Sequence, residues 1–326
     1  MRAVVCKEFG PIRNLEIENQ PDPEPGSDDV IIRSEAIGVN FPDGLLVQGL
    51  YQVKPPTPFI PGMELVGIVE AVGDKVVHVK PGDRVASVCM LGAFAELAKV
   101  DKATVMPAPQ GADAAELTAL MCGYGTSHHA LKQRAELQPG ETLAVTGASG
   151  LTGLAAVQIG KAMGARVIAI ASTEEKRAIC KDNGADITLS YDNLKEELKA
   201  ATQGKGADVI FDVVGGDAFH ACSRAINWGG RLLVVGFADG EIPKFPVNLA
   251  LVKGSSIVGV FWGDFIRREP EVYAKNMKEL FGWYSDGSIK PHVEQPFELA
   301  EAVDALTHIH DRKASGKVVL IPGQSR

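Results

Sequence analysis

A run of small residues in the middle of the chain could hold a phosphate group against the backbone. Ala148, Gly150 and Gly153 occupy the three small-residue positions of the pattern G-x-G-x-x-G. Small residues are needed there because a diphosphate must approach the backbone at a helix N-terminus, where N–H groups and the helix dipole favour an anion. The candidate phosphate contacts are therefore the consecutive residues Ala148, Ser149, Gly150, Leu151, Thr152 and Gly153.

Apolar segments on both sides place this run between a strand and a helix. Leu143-Ala144-Val145 leads into it, residues 154–160 leave it with helical periodicity, and residues 166–171 are typical of a second buried strand. In this setting a glycine-rich turn is the signature of a dinucleotide-binding βαβ unit, whereas the same turn alone could be merely structural. The sequence therefore predicts nucleotide binding by this segment.

The composition argues against several other classes of protein. The chain has 326 residues, 45% of them hydrophobic, and a formal net charge of −8 without a basic run, so a nucleic-acid partner has little support. No stretch reaches about 18 uninterrupted apolar residues, which predicts no membrane span, and residues 1–6 are typical of a first strand rather than a secretory signal. The five cysteines are scattered without a C-x-x-C pair, which favours a reducing cytoplasm over disulfides or structural zinc.

Two parts of the chain differ in their pattern. Up to about Pro109, short apolar runs alternate with Gly-Asp and Pro-Gly turns, which is typical of a compact β-barrel. From Asp113, helices and strands alternate, which predicts a parallel sheet with right-handed crossovers. In the first part we expect strands over 29–32, 65–69 and 84–88. In the second we expect helices over 174–183, 194–202 and 218–226, and strands over 187–190, 208–214, 231–236 and 256–260.

The C-terminal part adds two amphipathic helices, over 271–285 and 299–309, and a last strand over 317–321. That strand must pair with a sheet, and the sheet of the first domain is the economical place. The domain prediction is therefore 1–112, 113–260 and 261–326, the last segment returning to the first domain. The first of the two helices is predicted to bury Val272, Met277, Leu280, Phe281 and Tyr284.

Several short motifs occur in a fixed order along the chain. They are Gly38-Val39-Asn40-Phe41-Pro42-Asp43, Gly49-Leu50-Tyr51, Pro61-Gly62-Met63-Glu64-Leu65-Val66-Gly67, Gly82-Asp83-Arg84-Val85 and the glycine-rich turn. With these motifs the chain resembles the medium-chain dehydrogenase/reductase superfamily over essentially its whole length, and within it the zinc-free, zeta-crystallin-like quinone oxidoreductase branch. The resemblance implies an α/β protein with a GroES-like β-rich barrel domain and a Rossmann domain containing a doubly wound parallel sheet. It also implies catalysis in the cleft between the domains and a homodimer.

The resemblance bears on metal binding as well. Zinc-dependent relatives hold catalytic zinc with a Cys of the first loop, the His of a G-H-E motif and a second Cys. The corresponding positions here are Asn40, Met63 and Cys122. One thiol does not make a tetrahedral zinc site, so we expect no metal. Glu64 remains from the G-H-E pattern and is interpreted as a hydrogen-bonding structural residue.

The residues after the second strand of the βαβ unit favour NADPH over NADH. An NAD enzyme places Asp or Glu there to hold the ribose 2′-OH, whereas this chain continues from Ala171 with small hydroxyl residues and then cations. Such residues suit a 2′-phosphate, which binds charge-assisted donors. In the resembling family the contacting positions correspond to Ser172, Lys176 and Tyr191. Alternatively, Glu174-Glu175 simply begin a helix and Lys176 is solvated.

Other cofactor contacts are implied by the resemblance alone. Two pairs of residues, Gly236 with Phe237 and Val260 with Phe261, follow strand ends that face the nicotinamide in the family. Thr126 and Asn40 correspond to positions beside the nicotinamide and its ribose, and Arg312 corresponds to a late cation that reaches the cofactor region. Phe237, Phe261 and Trp262 could instead be ordinary core aromatics.

Hydride transfer without zinc needs hydrogen-bond donors that polarise the acceptor oxygen. Tyr51 is a candidate, because Gln48-Gly49-Leu50-Tyr51 resembles two patterns of the superfamily. One is the G-L-Y tyrosine that lines the cleft of quinone oxidoreductases; the other is the Q-G-x-Y tyrosine that donates the α-proton in enoyl thioester reductases. A second tyrosine of the quinone oxidoreductases is replaced here by Leu45. Asp43 is interpreted as a helix cap, with a proton relay as the alternative.

The predicted catalytic residues are thus Tyr51, Asn40 and Thr126. We expect a cytoplasmic, NADPH-dependent reductase of quinones or other activated α,β-unsaturated carbonyls. An enoyl-CoA or enoyl thioester reductase is the enzymatic alternative, and a crystallin-like or RNA-binding protein that binds NADPH is the non-enzymatic one. Arg267 and Arg268 could meet an acidic substrate tail such as a CoA phosphate, or could be an exposed pair at a helix.

Overall fold

The structure, a computed structural model, describes residues 1–323. Their contacts divide the chain into two units. The first unit contains residues 1–122 and the segment that begins at Pro291, and the second contains residues 123–290. Residues 261–290 therefore lie in the second unit, and the return to the first unit begins at Pro291. Among the described residues, no helix is long and apolar enough to cross a membrane.

The first unit begins with short strands and two short helices. The predicted apolar runs form strands, in which Ile31, Ile32, Leu65, Val66 and Val85 are buried. The longest strand continues to Val39, well beyond the predicted end at residue 32; it pairs with three other strands, with shifts of register against one of them. The elements are β1 Arg2–Val5, β2 Glu16–Asn19, β3 Asp29–Val39, α1 Phe41–Val47, β4 Glu64–Val72, β5 Arg84–Val88, β6 Leu97–Asp101, β7 Val105–Pro107 and α2 Ala114–Ala119.

The second unit alternates strands and helices, as the sequence predicts. Helices α3, α8 and α9, defined below, and the π-helical turns on either side of α3 are elements that the periodicity did not indicate. The elements are α3 Gly125–His129 between π-helical turns Leu120–Tyr124 and Ala130–Arg134, β8 Thr142–Val145, α4 Leu151–Ala162, β9 Arg166–Ile170, α5 Glu174–Asp182, β10 Ile187–Leu189, α6 Leu194–Ala201, β11 Ala207–Asp212, α7 Gly216–Arg224, β12 Ile226–Val234, α8 Asn248–Lys253, β13 Ser256–Gly259, α9 Trp262–Arg268 and α10 Pro270–Ser285.

A six-stranded sheet forms the centre of the second unit. Its order is β10-β9-β8-β11-β12-β13 and every pairing is parallel. The order reverses between β8 and β11, which is the Rossmann arrangement and confirms the predicted doubly wound sheet. β8 and β9 are apolar and buried because helices cover both faces of a parallel sheet.

Helix α10 buries only part of its predicted face. Met277 and Leu280 are buried, but Tyr273 and Asn276 complete the buried face, whereas Val272, Phe281 and Tyr284 are half-buried. Polar Asn276 can be buried because its amide exchanges two hydrogen bonds with that of Gln133, at 3.0 and 3.1 Å. A helical pattern read from apolar residues alone cannot show such a pair.

The chain then returns to the first unit with β14 Phe297–Glu298, α11 Ala302–His310 and β15 Val318–Ile321. β15 pairs antiparallel with β3, so the predicted pairing of the last strand with the first sheet is confirmed. That sheet has the order β14-β15-β3-β4-β5-β7, and β6 pairs with β3. The apolar core of the unit includes side chains of β3, β4, β5, α1 and α11.

Candidate functional site

The glycine-rich turn lies between β8 and α4, where the sequence predicts it. Gly147 has a φ of +59°, and Gly150 immediately precedes the helix. A Cβ on Gly153 would lie 2.2 Å from the carbonyl oxygen of Gly147, so the turn can close only on a residue without a side chain. The N-terminus of α4 therefore adjoins a turn whose glycines leave the backbone accessible, which fits a diphosphate.

A buried aspartate joins this turn to the next strand of the sheet. Asp212 ends β11, which pairs with β8, and its Oδ1 accepts a hydrogen bond of 2.5 Å from the hydroxyl of Thr146. The same carboxylate accepts from the backbone N–H groups of Val214 and Gly215. Burial raises the pKa of Asp212, although these hydrogen bonds oppose the shift. Two loops at the carboxyl ends of neighbouring strands are therefore held in one arrangement.

The residues predicted to meet a 2′-phosphate follow β9. Ser172 is exposed, Thr173 caps α5 by accepting from the N–H of Lys176, and Glu174 and Glu175 occupy the first helical turn. The helix therefore begins as the alternative interpretation expected, with Ser172 between β9 and α5 and Lys176 in the first turn of α5, and their contact with a 2′-phosphate stays a prediction.

Tyr191 has a contact that the sequence did not indicate. Its hydroxyl accepts a hydrogen bond of 2.8 Å from the N–H of Gly147, inside the glycine-rich turn. Burial raises the pKa of Tyr191 to about 12, so the hydroxyl stays protonated. Tyr191 therefore supports the turn directly.

The remaining predicted contacts of the second unit differ in exposure. Phe237 and Phe261 are exposed at the surface, so the core interpretation does not apply to them. Trp262 is buried, and a Cβ on Gly125 would lie 2.8 Å from its ring, so it is a core aromatic. Gly236, Val260 and Thr126 are half-buried. Arg312 lies in the first unit, just after α11, with a φ of +60°.

Three strands of the first unit bring an unforeseen cluster together. In the sheet Val318 of β15 is opposite Val39 of β3, and Gly38 of β3 is opposite Glu64 of β4. This register places Lys317, Asn40 and Glu64 side by side at one end of the sheet. Gly38 is required there, because a Cβ at that position would lie 2.2 Å from Glu64 Oε1.

Hydrogen bonds connect these side chains. Asn40 Nδ2 donates to Glu64 Oε1 over 2.8 Å, and Lys317 Nζ donates to Asn40 Oδ1 over 3.0 Å. Lys317 Nζ also forms a short ion pair with Glu64, and both side chains are completely buried. Glu64 Oε2 accepts from the backbone N–H of Cys122 over 2.7 Å. Glu64 is thus the hydrogen-bonding residue that the sequence suggested, whereas the sequence did not predict its partner, Lys317.

Asp43 adjoins this cluster at the start of α1. Its Oδ2 accepts from the backbone N–H of Asn40 over 2.8 Å, which is the predicted capping role. Its Oδ1 is buried and has no hydrogen-bond partner among residues 1–323. Burial raises the pKa of Asp43 to about 7, against the effects of the Asn40 N–H and the Lys317 ammonium.

Replacing Asp43 by Asn should change how stability depends on pH. Because the folded state raises this pKa, Asp43 contributes stability below about pH 4 that is lost progressively as the pH rises to about 7. An amide does not titrate, so the free energy of unfolding of Asp43→Asn should increase relative to the parent protein between pH 4 and 8. Urea titrations across this range measure it, with exposed Asp74→Asn as the control. Parallel curves for Asp43→Asn and the parent would contradict the assignment.

Tyr51 follows α1 and is half-buried. Among residues 1–323 nothing is hydrogen-bonded to its hydroxyl. Burial, and then the nearby Cys122 and Asp43, raise the pKa of Tyr51 above its usual value, so the phenol keeps a proton to donate. The predicted catalytic residues Asn40 and Tyr51 both belong to the first unit, and Thr126 belongs to the second.

The positions that correspond to zinc ligands in zinc-dependent relatives carry groups that are poorly suited to hold a metal ion. Asn40 offers an amide already bonded at both ends, Met63 packs against the apolar core, and burial raises the pKa of the Cys122 thiol well above its usual value. A metal ligand needs a thiolate instead. The ammonium of Lys317, beside Asn40 Oδ1, would repel a cation at this point. Within residues 1–323 no three His, Cys, Asp or Glu side chains are grouped to hold a metal ion.

Arg267 and Arg268 lie in the last turn of α9 and are exposed. Both pair with Asp264, one turn earlier on the same helix. This is the arrangement of an exposed helical pair. Contact between these arginines and an acidic substrate tail stays a prediction.

Comparison with known proteins identifies the family. Residues 26–110 match the alcohol dehydrogenase GroES-like domain, and residues 152–281 match the zinc-binding dehydrogenase domain. A quinone oxidoreductase-like protein 2 homolog from Nematostella vectensis is 39% identical over 325 residues, which cover 98% of this chain and 88% of that protein.

Two solved structures have the same fold. A quinone oxidoreductase from Thermus thermophilus, solved alone and with NADPH, has a TM-score of 0.86 and 34% identity, and the match covers 98% of this chain and 100% of that one. The Escherichia coli quinone oxidoreductase complexed with NADPH has a TM-score of 0.91 and 27% identity, with 99% of this chain and 100% of that one covered.

A GroES-like unit combined with a Rossmann unit defines a medium-chain dehydrogenase/reductase. Within that superfamily the chain belongs to the quinone oxidoreductase branch, so it is an oxidoreductase. The resemblance inferred from the sequence motifs is confirmed.

Proposed function

We propose that this protein is a zinc-independent reductase that transfers hydride from NADPH to quinones or other activated α,β-unsaturated carbonyls. The observation that carries the proposal is the glycine-rich turn at the start of α4, together with Ser172 after the next strand and Lys176 in the first turn of α5. The solved relatives with bound NADPH support the same cofactor. When bound, NADPH supplies a hydride from C4 of its nicotinamide.

The protein's own residues bind the cofactor, polarise the acceptor and supply a proton in this reaction. The turn from Ala148 to Gly153 binds the diphosphate, and Ser172 and Lys176 bind the 2′-phosphate. Asn40 supplies an amide donor to the oxygen on which negative charge develops. Tyr51 supplies a proton from a phenol that the rest of the described chain leaves unbonded, and Thr126 helps to orient the nicotinamide.

An acceptor panel tests the proposal. NADPH absorbance is followed with 1,2-naphthoquinone, an alkyl enone and crotonyl-CoA in parallel, and each assay is repeated with NADH. We expect oxidation of NADPH by the quinone or the enone, and slower oxidation of NADH. Faster turnover with crotonyl-CoA would favour the enoyl thioester reductase, and no oxidation by any acceptor would leave a binding protein.

Replacing Tyr51 by Phe should separate two acceptor classes. An enone needs a proton at its α-carbon after hydride addition, whereas a reduced quinone can take its protons from water. We expect kcat for the enone to fall by about 10²-fold or more and kcat for the quinone to change little. Leu50→Ala, one residue earlier and exposed, is the matched control. An unchanged enone rate rules out the donor role.

We infer that two copies associate through the edge of the Rossmann sheet. β13 is the last strand of the order, so one side of its backbone is unpaired in that sheet. Beside it, α8 buries none of its residues, and Leu251 and Val252 are exposed together with Trp228, which packs at the end of α8. A strand edge flanked by exposed apolar side chains is suited to pairing with an identical edge.

Charging this surface should dissociate the dimer. Leu251→Lys combined with Val252→Lys introduces repulsion across a twofold interface, so sedimentation velocity should show the 34.6 kDa monomer in place of a dimer. Val77→Lys, at an isolated exposed valine of the first unit, should leave the dimer intact. A parent protein that sediments as a monomer at micromolar concentration contradicts the inference.

The non-enzymatic alternative has less support. A net charge of −8 opposes binding to RNA. The phenol of Tyr51, which has no hydrogen-bond partner among the described residues, favours proton donation in a reaction over a purely structural role. The five free cysteines, three of them buried, support a reducing compartment, and we place the protein in the cytoplasm.

A further inference from the structure

The side-chain amide of Asn40 can be oriented in only one way. The Lys317 ammonium has donors only and lies 3.0 Å from one end of this amide, which must therefore be Oδ1. The Glu64 carboxylate has acceptors only and lies 2.8 Å from the other end, which must be Nδ2. Oxygen and nitrogen of an amide are usually hard to tell apart, but the chemistry of the two neighbours settles the assignment.

Only one hydrogen of these three side chains is left to donate. The ammonium of Lys317 has three, and they point to Val39 O, Asn40 Oδ1 and Glu64 Oε1. Asn40 Nδ2 has two, and Glu64 takes one of them. Among residues 1–323 no acceptor takes the second, and Asn40 is half-buried, whereas Lys317 and Glu64 are completely buried.

We propose that Lys317 and Glu64 are positioning residues that commit Asn40 to act as a hydrogen-bond donor, whose remaining amide N–H polarises the oxygen of the hydride acceptor. The inference rests on the proposed function and adds two residues to it. Lys317 itself cannot touch the acceptor, because it has no hydrogen left and no exposed surface. Lys317 therefore influences the reaction only by orienting the amide of Asn40.

The test is a mutant cycle measured as kcat/KM for an alkyl enone at saturating NADPH. Its members are the parent protein, Asn40→Ala, the charge-free pair Lys317→Met with Glu64→Gln, and the triple variant. The pair is used because removing Lys317 alone leaves a buried charge and endangers folding. Lys317→Arg, which keeps the cation and its donors, is the conservative control.

Asn40→Ala should lower kcat/KM by about 10²-fold, as the loss of one donor to a developing oxyanion does. The pair should lower it by about 10- to 100-fold, as the loss of supporting groups does at other sites. The triple variant should be no slower than Asn40→Ala, and Lys317→Arg should retain most activity. The dissociation constant of NADPH, titrated by nucleotide fluorescence, should stay within about twofold in the pair variant and in Lys317→Arg, because neither replaces a predicted cofactor contact and the phosphate-binding turn is untouched.

Two results would overturn the proposal. Losses that multiply in the triple variant would show that the pair acts independently of Asn40, and Asn40→Ala with unchanged kcat/KM would show that its N–H is not used. If none of the acceptors in the panel leads to oxidation of NADPH by the parent protein, the proposed function fails instead. The two failures are therefore distinguishable.

A spectroscopic readout is independent of turnover. In protein labelled with ¹⁵N-asparagine, one Asn40 side-chain amide proton should exchange slowly with solvent, because it is bonded to Glu64, and the other should exchange fast. Equal exchange of the two protons in the parent protein would contradict the fixed orientation.

Discussion

Replacing Lys317 by Met is expected to remove about 3–5 kcal/mol from the free energy of unfolding. Lys317 and Glu64 are both completely shielded from solvent, and each is the only opposite charge that the other contacts among the described ion pairs. Without the ammonium, the carboxylate of Glu64 stays buried with its charge uncompensated. The cost therefore comes less from a lost attraction than from the stranded charge. Equilibrium urea unfolding, followed by circular dichroism, measures it.

Two controls separate this cause from loss of packing. Lys317→Met combined with Glu64→Gln leaves no buried charge, so it should recover most of the lost stability. Lys195→Met breaks the surface pair with Glu196 and should change stability by less than about 1 kcal/mol. If Lys317→Met alone stays within about 1 kcal/mol of the parent, the buried pair is not the stabilising feature described here.

Replacing Gly153 by Ala is expected to weaken NADPH binding on the order of 100-fold. The added Cβ would lie 2.2 Å from Gly147 O and 2.8 Å from Ala148 Cα, both of them backbone atoms that cannot rotate away. The turn must then move off the start of α4, and the N–H groups that bind the diphosphate move with it. A fluorescence titration with NADPH measures the change directly.

Gly282→Ala is the matched control for this substitution. Gly282 lies in α10 of the same unit, and a Cβ there meets nothing within 4 Å. Alanine also has the higher helix propensity, so stability should rise slightly and NADPH affinity should stay the same. A Gly153→Ala variant that binds NADPH as tightly as Gly282→Ala would show that this turn does not hold the cofactor.

Local patterns were sufficient to predict the sheet of the second unit and its βαβ unit. The apolar strands β8 and β9 and the helix α4 each follow from a short window of sequence, because buried parallel strands and amphipathic helices have distinct periods. Their parallel order then follows from the alternation of strand and helix. The Rossmann sheet could therefore be predicted before any coordinates were known.

The buried cluster of the first unit could not be predicted in this way. Lys317 lies 253 residues from Glu64 in the chain, and the two meet only because β15 pairs with β3 and β3 with β4. A lysine at the start of an apolar strand looks like an exposed residue. The one signal in the sequence was Gly38, whose missing side chain makes room for Glu64.

The family resemblance indicated which residues belong to the site, but it did not indicate which groups those residues contact. Tyr191 was assigned to the cofactor by position, but its hydroxyl is bonded to Gly147, 44 residues earlier. Phe261 and Trp262 are neighbours in sequence, yet one is exposed and the other buried. Position within a family indicates which residues matter, and the hydrogen bonds and packing of this chain decide how they act.

The central claim is that this chain transfers hydride from NADPH to an activated acceptor without a metal. Its most direct test is a single-turnover reduction of an alkyl enone with NADPH that carries deuterium at both C4 positions, using protein treated with a chelator, followed by mass spectrometry of the product. We predict one deuterium at the β-carbon and an unchanged rate after chelation. A product without deuterium, or a reaction that stops when metal is removed, would contradict the account.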